Sequence, residues 1–87
     1  MPRYLSLHIL ACMTRQGAEA LVRDLSAAAG PVALRRTSWN FLEGKMVAEI
    51  EAADAETAAA WLEQNSMQPQ WLMRIEYEST GGELKAV

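Results

Sequence analysis

The chain has little of several residue types, and each shortage excludes a class of protein. A single cysteine, Cys12, among 87 residues excludes an intramolecular disulfide and a cysteine-only metal cluster. Only 8 basic residues stand against 11 acidic ones, and this balance argues against nucleic acid as a partner because phosphate binding needs a basic field. No run of about 18 apolar residues occurs, so no membrane partner is predicted.

The N-terminal segment does not fit a secretory signal. Its apolar stretch contains His8, and the basic region before it consists of Arg3 alone. We therefore expect a cytoplasmic protein.

What the chain does have is apolar content: 51% of its residues are hydrophobic, enough for one small domain with a core. Alternating apolar residues predict strands, and apolar residues spaced three and four apart predict helices. Thr14 and Asp54 are suitable helix N-caps, whereas Gly30 and Gly44 indicate a helix end and a turn. The predicted elements are a strand at 4–12, a helix at 14–29, strands at 32–41 and 45–52, a helix at 55–64 and a strand at 70–78.

This order is strand, helix, strand, strand, helix, strand. Right-handed crossovers fold it into an α+β, ferredoxin-like βαββαβ sandwich, a four-stranded antiparallel sheet with both helices on one face. The first and third strands are expected at the centre. Residues 1–78 form the predicted single domain, and the tail 79–87 is expected to be loose or to add to a partner.

Side chains alternate along a strand, so the sequence also predicts which of them face the helices. Facing the helices we expect Leu5, Leu7, Ile9 and Ala11 with Met46, Ala48 and Ile50. The uncovered face then shows Tyr4, Ser6, His8, Leu10 and Cys12 with Val47, Glu49 and Glu51. The edge strands leave alternatives open, because a slip of one residue reverses every side chain. On the uncovered face the second strand places either Arg35, Thr37 and Trp39 or Leu34, Arg36 and Ser38. The last strand places either Leu72, Arg74 and Glu76 or Trp71, Met73, Ile75 and Tyr77.

An uncovered face that mixes apolar and ionisable groups is typical of an interface. Two sheets packed face to face in a homodimer would enclose a cavity and form a dimeric α/β barrel. This predicts a homodimer with a small-molecule ligand.

His8, the only histidine, is the main candidate for chemistry in that cavity. Beside Glu49 it could act as an acid or base, or both could bind a metal; the alternative is a structural histidine at the dimer interface. Tyr4 or an arginine could orient a substrate, and the candidate ligand-binding residues are Glu49, Trp39 and Arg35. Glu49 could instead form structural ion pairs with Arg35, Arg36 or Arg74, and Trp39 could line the cavity or pack in the core.

Two stretches carry a family resemblance. The first consists of Tyr4-Leu5, Thr14 with its helix, and Arg35-Arg36 to Trp39-Asn40. The second is residues 44–56, with the sequence Gly-Lys-Met-Val-Ala-Glu-Ile-Glu-Ala-Ala-Asp-Ala-Glu. In these the chain resembles a family of small uncharacterised bacterial ferredoxin-like proteins, some described as nickel-binding through histidines. The resemblance implies a divalent transition metal such as nickel at His8. The chain has no second histidine, so a dimer would have to supply another copy.

The sequence therefore favours a homodimer that binds a metal ion or small molecule between its sheets. The alternatives are a cofactor-free isomerase or monooxygenase of the dimeric barrel type, and a non-catalytic interaction module.

Overall fold

The structure, a computed structural model, describes residues 1–87. Its elements are β1 Arg3–Ile9, α1 Arg15–Ala27, β2 Ala33–Asn40, β3 Lys45–Glu51, α2 Ala55–Gln64, β4 Trp71–Ile75, β5 Tyr77–Thr80 and β6 Glu83–Ala86. Strands β1 to β4 form an antiparallel sheet in the order β2-β3-β1-β4. The first and third strands are therefore central, as predicted. The helices pack on one face of this sheet, which confirms the ferredoxin-like α+β sandwich.

Local signals set the element boundaries. The Thr14 side chain accepts a hydrogen bond from the Gly17 amide at 3.0 Å, and Asp54 accepts one from the Thr57 amide at 2.7 Å. Each satisfies a backbone donor that the first turn of a helix leaves free. Gly44 takes a φ of +67° in the turn before β3, a conformation that favours glycine. Neither helix is long and apolar enough to cross a membrane.

The C-terminal residues form a second, smaller element. β5 and β6 pair as a hairpin, and Gly81 and Gly82 between them both have positive φ, as a tight two-residue turn requires. All residues of both strands are exposed. Of the two alternatives for residues 79–87, the loose tail is wrong, because the two glycines allow the chain to turn back and pair with itself, and addition to a partner stays a prediction.

The core lies between the sheet and the helices. Met46, Ala48 and Ile50 of β3 are buried there as predicted. In β1 the two faces are exchanged relative to the prediction. Tyr4, Ser6 and His8 are buried, and they pair in register with residues 50, 48 and 46. Directly paired residues share a face, so Leu5, Leu7 and Ile9 point to the uncovered side.

Candidate functional site

The uncovered side of the sheet, here called the open face, carries an apolar stripe. The stripe runs across the two central strands and the β4 edge, and consists of Leu5, Leu7, Ile9, Val47, Trp71, Met73 and Ile75. Leu7 lies between Val47 and Trp71, and Leu5 lies beside Met73. All seven side chains are half-buried or exposed in the single chain. Large contiguous apolar surfaces are typical of interaction sites.

An ion cluster lies at one end of the stripe, centred on Glu49. The Glu49 side chain is only 8% exposed and touches three arginines. Oε2 accepts a hydrogen bond from Arg35 Nε at 2.8 Å and one from Arg3 Nη1 at 3.4 Å, while Oε1 lies 3.6 Å from Arg36 Nη2. Ion pairing with Arg35 and Arg36 agrees with the sequence; Arg3 was not anticipated as a partner.

A β-bulge brings two adjacent arginines to the same carboxylate. The register of β2 against β3 shifts between Leu34 and Arg36, so Arg35 is the extra residue. Arg35 and Arg36 both reach Glu49, and Ser38 follows on the open face, opposite Val47. Neither predicted alternative for β2 is therefore right as a whole. For β4 the second alternative is right for Trp71, Met73 and Ile75, which lie on the open face, and wrong for Tyr77, which begins β5 outside this sheet.

Outer residues bridge the cluster to the rest of the chain. Arg35 Nη1 donates to Glu51 Oε1 at 3.3 Å, and Arg3 Nη2 lies 3.1 Å from Glu78 Oε1 of the hairpin. The hydrogen bond and charge of Arg3 hold the pKa of Glu78 below its ordinary value of 4.5. The hairpin is thus tied to the cluster through one carboxylate.

Two concavities meet at Arg36. The smaller, of about 280 Å³, is lined by Leu5, Val47 and Ile75 with Arg36, Ser38 and Glu49. The larger, of about 560 Å³, is lined only by charged side chains, Arg3, Arg35, Arg36 and Glu78. The open face therefore offers an apolar compartment beside a cationic one.

His8 is placed on the other side of the sheet, away from Glu49. It is 1% exposed, its Nδ1 lies 3.2 Å from the Gln68 carbonyl oxygen and its Nε2 lies 2.7 Å from Ser6 Oγ. A carbonyl oxygen accepts, so the neutral ring carries its proton on Nδ1 and Ser6 donates to Nε2. The predicted pairing of His8 with Glu49 is wrong, because the two residues stand on opposite faces of the sheet.

This burial makes the free energy of unfolding depend on pH. Desolvation lowers the pKa of His8 below its ordinary 6.5. Below pH 6.5 the unfolded chain therefore binds more protons than the folded chain. We expect the free energy of unfolding to be highest above pH 6.5 and to fall towards pH 5, by at most about 1.4 kcal/mol per pH unit. Urea unfolding at a series of pH values measures this slope.

The His8→Gln variant is the control, because His8 is the only histidine. Its free energy of unfolding is expected to be flat between pH 6.5 and 5. The carboxyls with lowered pKa, Asp54 bonded by Thr57 and Glu78 bonded by Arg3, lose their contribution only below their ordinary values of 3.8 and 4.5. An equal slope in the variant would contradict the assignment to His8.

The side chains do not fit the metal site that the resemblance implies. Both ring nitrogens of His8 are engaged, and Glu49 is on the opposite face. No group of three or more His, Cys, Asp or Glu side chains is placed to hold a metal ion. His8 and Glu49 are therefore not carried forward as metal ligands.

Tyr4 and Trp39 also lie outside the open face. Tyr4 is buried in the core with Ile50. Trp39 pairs with Met46 on the helix side, stacks on Phe41 with ring centroids 5.6 Å apart and donates from Nε1 to Thr37 Oγ1 at 2.8 Å. It also lines an apolar groove of about 410 Å³ beside α1 and packs against the core, so of its two predicted places the cavity is wrong and the core is confirmed.

Of the predicted site residues, the structure brings together Arg35 and Glu49 and separates His8, Tyr4 and Trp39 from them. The residues that were missed are Arg3 and Glu78. Arg3 shares its strand alternation with Leu5, Leu7 and Ile9, so assigning those residues to the open face would have placed it correctly.

Comparisons of the chain with family models, with curated proteins and with solved structures return no match.

Proposed function

We propose that the chain forms a homodimer through its open face and binds a small molecule between the two sheets. The observation that carries this proposal is the orientation of β1. The strand directs Leu5, Leu7 and Ile9 outwards, while Ser6 and His8 occupy the core and satisfy each other. An apolar outer face on a strand with polar residues inside is favourable when a partner covers that face.

A second copy of the chain is the occupant we assign to the open face. The stripe crosses the sheet, so a two-fold axis through its centre brings the stripes of both copies together and leaves one arginine cluster at each end. Covering each half-exposed apolar side chain contributes about 1 kcal/mol. In a symmetric dimer the same side chain is covered in both copies, so its contribution counts twice. With seven such side chains per copy, the free energy of apolar burial is large enough to offset the cost of association, about 4–15 kcal/mol.

The ligand is a small molecule held where the apolar and cationic compartments meet. One open face contributes a concavity of about 280 Å³ with Leu5, Val47 and Ile75 as its floor. A facing sheet would close this concavity, whose volume lies near the lower end of the range of about 300–1,000 Å³ that is usual for small-molecule sites. The sequence resemblance to small ferredoxin-like proteins and the expected cytoplasmic location agree with such a role and stay predictions.

The catalytic alternative relied on His8 and Tyr4. Both are enclosed between the sheet and the helices, where a substrate on the open face does not touch them. The proposal therefore assigns binding, not catalysis.

Native mass spectrometry of the untagged protein, over a range of concentrations, tests the proposal. We expect twice the chain mass of 9.6 kDa, with additional mass where a ligand has copurified. A bare dimer that no small molecule stabilises would favour the interaction module. A monomer at all concentrations would overturn the face-to-face dimer.

A further inference from the structure

We infer that Arg3 and Arg36 bind the carboxylate of a monoanionic organic acid, and that the Glu78 carboxylate occupies this place in the unliganded protein. The inference rests on the proposed small-molecule site and specifies its ligand. It gives the ligand two parts, an anionic group in the cationic concavity and an apolar body over Leu5, Val47 and Ile75.

The first argument is the free bonding capacity of Arg36. Its side chain is 74% exposed, and its contact with Glu49, at 3.6 Å, is longer than a hydrogen bond. Arg35, by contrast, donates to both Glu49 and Glu51. A guanidinium offers a fork of donors that matches a carboxylate, and Arg36 lines both concavities.

The second argument is the charge balance of the cluster. Arg3, Arg35 and Arg36 carry three positive charges, and Glu49 and Glu51 compensate two of them. Glu78 compensates the third in the unliganded protein, so a ligand that displaces Glu78 keeps the balance when it carries one negative charge, as a carboxylate does. A phosphate monoester, with close to two negative charges at neutral pH, would leave the site negative.

The third argument is that the chain itself already places a carboxylate there. Glu78 Oε1 is 3.1 Å from Arg3 Nη2, in a concavity whose other lining residues are arginines. The Glu78 side chain is 49% exposed and lies on a hairpin whose strand residues are all exposed. Glu78 is half exposed and Arg3 is its one partner, so a ligand carboxylate that takes over the contact with Arg3 displaces Glu78 at little cost.

Benzoate is the probe, followed by amide chemical-shift changes in a ¹⁵N-labelled sample, with benzamide as the neutral analogue and inorganic phosphate as the competing anion. We expect benzoate to shift the amides of Ser38 and Val47 and to bind at least about tenfold more tightly than benzamide or phosphate. Arg36→Gln should weaken benzoate binding at least about tenfold. The control is Arg74→Gln, which removes an exposed arginine paired with Tyr4, off the open face, and should leave the affinity unchanged.

Glu78→Gln should tighten benzoate binding about two- to fivefold, because the internal competitor loses its charge. Glu83→Gln, which removes a carboxylate from the same hairpin away from the arginines, should not. Equal affinity for benzamide, tighter binding of phosphate, or an Arg36→Gln variant that binds benzoate normally would each overturn the inference. A monomer that binds benzoate through Arg36 would contradict the proposed dimer and leave the inference standing. A dimer whose affinity for benzoate does not change in Arg36→Gln would contradict the inference and leave the proposed dimer standing.

Discussion

Replacing Glu49 with alanine is expected to lower the free energy of unfolding by about 1–3 kcal/mol. The carboxylate is almost fully enclosed and is the common partner of Arg3, Arg35 and Arg36. Its loss leaves three guanidinium groups close together without their central counter-ion. The cost stays below that of a fully buried pair because Arg35 and Arg36 can turn towards water.

Thermal and urea unfolding measure this effect, and for a chain of this size each kcal/mol corresponds to about 4–8 °C in Tm. Glu51→Ala is the matched control, because Glu51 is more exposed and pairs with Arg35 alone. It should cost less than about 1 kcal/mol. Equal losses in the two variants would contradict a central role for Glu49.

The Leu7→Glu variant is expected to be a monomer. Leu7 is at the middle of the apolar stripe, between Val47 and Trp71. In the proposed dimer the substitution removes about 1 kcal/mol of apolar burial from each copy and brings an unpaired charge into the interface. The dissociation constant should therefore rise by about 100-fold or more.

Sedimentation over a concentration range measures the change, and circular dichroism checks that the variant is folded. Leu42→Glu is the control, since it makes the same change at a side chain that is 98% exposed in the turn before β3. It should leave the association unchanged. A folded Leu7→Glu variant that dimerises as the unsubstituted chain does would place the interface elsewhere.

The local signals in the sequence were sufficient for the fold. The two caps, the Gly44 turn and the inward set Met46, Ala48 and Ile50 each depend on neighbouring residues, and all agree with the structure. α2 spans Ala55–Gln64 as expected. Such features are predictable because their physical causes lie within a few residues along the chain.

The candidate site was not predictable in the same way, because it depends on how strands pair. Apolar content alone assigned Leu5 and Leu7 to the core, yet a Ser6–His8 hydrogen bond lets those polar residues occupy it instead. The bulge at Arg35 is a second case, since strict alternation would have separated Arg35 from Arg36. The exchange of the two faces of β1 replaces His8 with Arg3 at the site. The extra residue in β2 brings Arg35 and Arg36 together there.

The bulge also affects what happens at the border of the sheet. β2 is an edge strand, and its backbone would otherwise offer a regular row of donors and acceptors to an added strand from another molecule. The irregular step at Arg35 interrupts that row, and two adjacent arginines place charge beside it. Lateral strand addition at this edge is therefore disfavoured, so that concentrated protein is protected there from growing into fibrils.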